Sequence, residues 1–300
     1  MEPRFPGEPL GLIAGGGRLP RIVAEAARAH GFRPVVVRIA DAEGDDWDGF
    51  AGGYYSWGRT GDAIRFLKRS GVLRVVACGT VSKRPDFRAI VPSFATLLKL
   101  PAAFAIVRGG DDRLLRAAAR FLENEGLEPM AVQDVEPKLL APAGRIAGRE
   151  PGTSEERALA LAHRAAVALG RLDVGQAVVA SQERVIALEA AEGTREMLHR
   201  VADLRARNRL GRGETLALVK AAKPQQDERF DLPSIGVSTI VEADAAGVRA
   251  IGVSAGRSLV IDYDAVAAAA RDAGIAVLGL APDGLPDEAS RPAASAGSTA

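Results

Sequence analysis

Between Lys220 and Pro233 the bases Lys220, Lys223 and Arg229 alternate with the acids Asp227, Glu228 and Asp231, and Pro224 and Pro233 keep a regular helix from running through them. A loop of this kind suits phosphate chemistry. Cations stabilise charge on phosphoryl oxygens, while carboxylates hold a divalent metal or orient water. On composition alone a solvated, charge-balanced surface loop is the commoner meaning. Asp231 stands apart because its neighbours Phe230 and Leu232 are expected to bury, which makes it a partly enclosed carboxylate.

Two further segments could meet an anion. Gly15-Gly16-Gly17 follows an apolar run and precedes an Ala-rich one, so free backbone N–H groups and a helix N-terminus could face a phosphate there. A tight turn explains the same glycines equally well. The segment is neither G-x-G-x-x-G nor G-x-x-x-x-G-K-S/T, so neither a nicotinamide cofactor nor a P-loop nucleotide is indicated. Gly79-Thr80-Val81-Ser82-Lys83-Arg84-Pro85-Asp86 lies after a third apolar run, at the edge of a parallel sheet where ligands usually sit. Asp111 and Asp112 fit the first turn of a helix better than a cation site.

Other chemistries are excluded. His30, His163 and His199 are isolated, which argues against a histidine-rich metal centre. Cys78 is the sole cysteine and reads as a small buried hydrophobe, so no disulfide framework exists. There is no G-x-S-x-G elbow. The 39 basic and 38 acidic residues leave a net charge of +1 over 300 residues, which supplies no broad footprint for nucleic acid. With no signal-like or spanning segment, the expected compartment is the cytoplasm.

The elements that must position these residues follow from hydrophobic period. Residues 10–14, 34–39 and 73–78 read as buried strands, alternating with helices over 19–30 and 62–70; a further helix spans 111–125, and 128–132 is a strand. This predicts a Rossmann-like, parallel-sheet α/β domain over 1–135. Residues 136–153, with Pro137, Pro142 and Pro151, read as a linker. Thr153-x-x-Glu156 has the form of a capping box opening a second α/β domain over 154–282, with a hairpin from 176 to 190 and later strands at 215–219, 250–253, 258–262 and 275–280. Residues 283–300 read as a disordered tail.

Taken together, several segments resemble one family, the LpxI-type UDP-2,3-diacylglucosamine pyrophosphatases of lipid A biosynthesis. They are Gly11-Leu-Ile-Ala-Gly-Gly-Gly-x-Leu-Pro20, Gly79-x-Val-Ser-x-Arg-Pro-Asp-Phe87, Gly110-Asp-Asp-x-Leu-Leu115 and Gly170-Arg-Leu-Asp-x-Gly-Gln176. Glu189-Ala-x-Glu-Gly-Thr-x-x-Met-Leu-x-Arg-Val-Ala-Asp-Leu204 and Lys223-Pro-x-Gln-x-x-Arg-x-Asp-Leu-Pro-x-Ile-Gly236 complete the set. The resemblance implies two domains with the lipid nucleotide held between them. It also implies Mg²⁺-dependent (or Mn²⁺-dependent) attack of water at the uridine-side phosphorus, without a covalent intermediate, releasing UMP and lipid X. The family's essential aspartate falls on Asp231. Lys223 and Arg229 would then face phosphate oxygens, Asp231 and Asp227 would meet the metal, and Gly15, Gly16, Gly17, Ser82, Arg84, Gln226 and Thr194 would contact substrate. Transient contact with the inner-membrane surface is expected of an enzyme with such a substrate, and a homodimer stays open. A non-catalytic lipid-nucleotide binding protein and a nucleotide-sugar-modifying enzyme are the alternatives.

Overall fold

Short, continuous apolar runs such as Val35-Val36-Val37 bury on both faces, which only a covered parallel sheet provides. The computed structural model describes residues 1–81, 111–211 and 213–284. In it β1 (Pro9–Ala14), β2 (Arg33–Arg38), β3 (Ala51–Tyr54), β4 (Arg74–Cys78) and β5 (Glu128–Met130) form a wholly parallel sheet of order β3-β2-β1-β4-β5. The order reverses between β1 and β4, which is the switch point of a doubly wound sheet. Helix α1 (Leu19–Ala29) buries Val23, Ala24 and Ala27. Helices α2 (Thr60–Arg69) and α3 (Asp111–Asn124) supply Ile64, Leu67 and Leu122 to a core with Val35, Val37 and Val75. The short α4 (Val132–Val135) follows β5.

A six-stranded mixed sheet organises the rest of the chain. Its strands are β6 (Gly144–Ala147), β7 (Ala177–Ala180), β8 (Val185–Leu188), β9 (Leu216–Lys220), β11 (Val248–Ser254) and β13 (Ala276–Leu280), in the order β6-β13-β11-β9-β7-β8. The centre, β9-β11-β13, is parallel, and both flanks are antiparallel. A separate two-stranded ladder joins β10 (Ser234–Ile235) to β12 (Leu259–Val260). Helix α5 (Thr153–Arg171) covers one face of the large sheet through Ala158, Leu159, Ala162, Ala166 and Leu169. Helices α6 (Gly193–Ala206), α7 (Val237–Ala245) and α8 (Tyr263–Asp272) cover the other through Met197, Leu198, Ile240, Val266 and Ala270. Side-chain alternation along β7 explains the division: Val178 packs with α5 and Val179 with the other three helices.

The chain divides into two compact units. One is Met1–Leu139 with Gln226–Leu232, and the other is Leu140–Gln225 with Pro233–Ala300. This differs from the sequence reading in three places. The first unit continues past 135 because Val132, Val135 and Leu139 are buried. The 136–153 linker contains a 3₁₀ turn at Pro137–Leu139 and the edge strand β6, whose four residues carry too little apolar pattern to stand out. Residues 226–232, placed by sequence in the C-terminal domain, belong to the first unit.

The start of α5 also differs by one residue from the expected capping box. Gly152, not Thr153, precedes the helix, and Glu155, not Glu156, accepts from the Gly152 N–H at 2.7 Å. The register is set by Arg149, whose guanidinium grips both carboxylate oxygens of Glu155. Burial alone would raise the Glu155 pKa, but Arg149 and the Gly152 N–H hold it below the ordinary value. Of the expected tail, Asp283 and Gly284 still form a turn, and the remainder lies outside the described residues.

Candidate functional site

At the switch point of the first sheet, the loops after β1 and β4 pack directly on each other. Gly15 N–H donates to the Cys78 carbonyl at 2.9 Å, and Gly16 exchanges two backbone hydrogen bonds with Thr80 at 2.9 and 2.8 Å. A Cβ on Gly15 would stand 2.6 Å from the Thr80 carbonyl oxygen, and one on Gly16 2.8 Å from Asp41 Cβ. The first two glycines are therefore required by backbone approach, and their N–H groups are engaged by protein carbonyls rather than turned to a phosphate. Gly17, exposed and at φ +92°, is the member of the trio that faces solvent. Replacing Gly15 by Ala should destabilise the fold by about 1–3 kcal/mol, the usual cost of overpacking against backbone that cannot give way. A thermal melt indistinguishable from the parent protein would refute that packing role.

Ser82, Lys83 and Arg84, which follow Val81 in the second candidate loop, lie outside the described residues, as do Gly109 and Gly110. Asp111 opens α3. Cys78 is half-buried rather than fully buried, and burial of its thiol pushes it up to about 12.

The excursion of residues 226–232 into the first unit has three anchors. Phe230 packs against the cluster of Val35, Ile64, Leu67 and Leu122. Arg229 Nη1 donates to Glu123 on α3 at 2.9 Å, and Gln133 Nε2 on α4 donates to the Glu228 carbonyl at 3.1 Å. Within the loop, the Asp227 carbonyl accepts from the N–H groups of Phe230 and Asp231 at 3.1 and 3.2 Å, closing a single turn. Asp227 Oδ1 accepts from Arg229 N and Nε, and Oδ2 from Arg229 Nη2 at 2.8 Å. The Arg229 guanidinium holds the Asp227 carboxyl below its ordinary range, and Asp227 with Glu123 raises Arg229.

Arg229 is thus a brace whose guanidinium binds two carboxylates, Glu123 and Asp227. Asp227 is likewise committed, through both oxygens, to Arg229. Asp231 is half-buried one turn further on, as are Phe230 and Leu232, which the sequence reading had as buried. Gln226 is buried at the root of the excursion.

In the second unit, Lys220 and Ser254 end the neighbouring parallel strands β9 and β11. Lys220 is buried, with its Nζ 2.8 Å from the Ser234 carbonyl, and Ser254 Oγ accepts from Ala222 N–H at 3.0 Å. Lys223 is half-buried and donates to Asp173 at 2.7 Å; Gln225 donates to the Gly170 carbonyl at 2.9 Å and Arg257 to the Lys223 carbonyl at 3.2 Å. The Gly170–Gln176 segment serves this arrangement. Gly170 lies in ordinary contact with Lys223, Asp173 at φ 54° accepts from the lysine, and the Gln176 carbonyl accepts from Ala221 N–H at 2.9 Å. Lys220 is one of the bases that the sequence singles out in this stretch, whereas nothing in the sequence singles out Ser254.

Thr194 has a structural partner. Its hydroxyl donates to Glu189 Oε1 at 2.7 Å, while Glu189 Oε2 accepts from the N–H groups of Gln176 and Ala177 at 3.0 and 2.9 Å. Glu189 thereby ties the start of β7 to the start of α6, and Thr194 belongs to that tie rather than to an open binding surface.

Two family descriptions match the chain: the LpxI N-terminal domain over residues 9–139 and the LpxI C-terminal domain over residues 142–278. A curated relative, the UDP-2,3-diacylglucosamine pyrophosphatase LpxI of Caulobacter vibrioides, is 41% identical over 283 residues, covering 92% of this chain and 99% of its own length.

Proposed function

Because the chain belongs to the LpxI family, as the matches to both domains and the 41% identical relative show, we propose that it hydrolyses the pyrophosphate of UDP-2,3-diacylglucosamine. The observation that carries this reading is the near full-length similarity to a relative of that named activity. Water adds its oxygen to one phosphorus of the pyrophosphate, the bond from that phosphorus to the bridging oxygen breaks, and UMP and 2,3-diacylglucosamine 1-phosphate leave. The water's protons pass to solvent and to the leaving phosphate as pH dictates.

Within this reading Asp231 is the carboxylate that orients the water or holds a metal. Its support is the turn that Asp227 closes and Arg229 braces, which holds the Asp231 backbone in one place. Lys223, held by Asp173, is proposed to supply positive charge to a substrate phosphate. Mg²⁺ or Mn²⁺ fits a donor set of one carboxylate plus substrate phosphates, because Mg²⁺ keeps several waters and needs few protein ligands. Asp231 and Asp227 are the carboxylates proposed for that role, and both oxygens of Asp227 also accept from Arg229. No group of three or more His, Cys, Asp or Glu side chains suited to a metal gathers among the described residues. When bound, the ion would neutralise phosphoryl charge. Among the described residues no helix is long and apolar enough to cross a membrane. We place the enzyme in the cytoplasm, meeting its lipid at the inner face of the membrane.

Incubation of the purified protein with UDP-2,3-diacylglucosamine and Mg²⁺ should release UMP, and the product that carries ¹⁸O from labelled water identifies the phosphorus attacked. Exhaustive EDTA should abolish turnover and Mg²⁺ should restore it. Turnover that survives EDTA removes the metal, and absence of UMP with intact binding favours a lipid-nucleotide binding protein.

A further inference from the structure

The outer face of α5 carries a pattern that neither the fold nor the hydrolase reading uses. Arg157, Arg164 and Arg171 are all exposed and recur every seven residues, so they line one side of the helix over about 21 Å. No Asp or Glu occurs between Glu156 and Asp173. Alongside this row lie Leu161 and Ala168, and the row ends at Leu172, which is 74% exposed, then Asp173, which is paired with Lys223, and Val174 at 48%.

Leu188, 43% exposed, adds to the apolar end. It pairs with Val178, whose side chain lies on the α5 face of the sheet, so Leu188 shares that face at the edge strand β8. Gly175 brings the loop after α5 against the end of this strand, since a Cβ there would stand 2.2 Å from the Glu189 carbonyl oxygen.

We propose that this face is the surface by which the protein docks on an anionic lipid bilayer. A row of guanidinium groups matches a plane of lipid phosphates, and the aliphatic tip at Leu172, Val174 and Leu188 can enter the interface between headgroups and acyl chains. A second copy of this chain fits poorly because it would set one arginine row against another. A nucleic acid fits poorly because the tip is aliphatic and offers no ring on which a base could stack.

The test is flotation of the full-length protein with vesicles of phosphatidylcholine alone or of phosphatidylcholine with phosphatidylglycerol. The parent protein should float with the anionic vesicles and lose that association as salt is raised. Each arginine near an anionic surface contributes about fivefold in affinity, so Arg164→Gln/Arg171→Gln should weaken binding by about twenty- to thirtyfold. Leu172→Ser should weaken it at every salt concentration. Circular dichroism melts on each variant separate loss of the surface from loss of the fold.

Equal binding to neutral and anionic vesicles would overturn the proposal. So would unchanged binding by the folded arginine variant, or flotation replaced by a concentration-dependent dimer or by retention on DNA. The measurement contains neither substrate nor turnover, so its failure would leave the hydrolase reading standing.

Discussion

Asp231→Ala is expected to lose turnover by at least about a hundredfold while still binding the lipid nucleotide, because a group that acts chiefly in the transition state lowers kcat more than ground-state affinity. Removing a negative charge beside a pyrophosphate could even tighten binding. Asp231→Asn keeps the shape of the side chain and should be nearly as inactive. The competing meaning is that the side chain only finishes the turn closed by Asp227. In that case the variants would lose about 1 kcal/mol of stability and keep their activity once folded. UMP release, substrate binding and thermal melting on one preparation separate the two. A folded Asp231→Ala protein with near-normal turnover would end the assignment.

The largest effect on stability is expected far from this chemistry. Glu8 and Arg74 are buried together at the start of β1 and β4, with Arg74 Nε donating to Glu8 Oε1 at 3.0 Å and its guanidinium stacked 5.1 Å from the centre of the Phe32 ring. Arg4 N–H also donates to Glu8. Arg74→Met would leave the Glu8 carboxylate buried without its cation. The expected cost is about 3 kcal/mol, the low end for breaking a buried pair. Glu8→Gln/Arg74→Met should recover most of that loss.

The pH dependence has a definite sign. Burial by itself raises the Glu8 pKa, but Arg74 and Arg4 lower it below the ordinary 4.5. The contribution of Glu8 is therefore complete above about pH 4.5 and is lost as pH falls through the lower folded value. Denaturant melts of the parent protein between neutral and acidic pH should show this loss, and the double variant should lack it. A single variant within about 0.5 kcal/mol of the parent would show the pair to be unimportant.

Period and composition by themselves determined the parallel strands β1, β2 and β4, the helices between them and the β7–β8 hairpin, because buried strands and amphipathic helices write their burial into neighbouring residues. Local chemistry singled out Asp231 by its apolar neighbours Phe230 and Leu232, which the structure leaves half-buried. Strands β3, β6 and β10 were not legible. Ala51–Tyr54 and Gly144–Ala147 contain glycines and little apolar pattern, and they are strands because neighbours already in place offer free edges to pair with.

Only the tertiary structure could decide that residues 226–232 belong to the first unit. The interactions that hold them join residues up to 106 positions apart, such as Arg229 to Glu123, and no local pattern records a partner at that distance. The same holds for the glycine turn. Three glycines suit a phosphate cradle and a close backbone crossing equally well, and the choice between them rests on the carbonyls of Cys78 and Thr80, which reach Gly15 and Gly16 only once β4 lies beside β1.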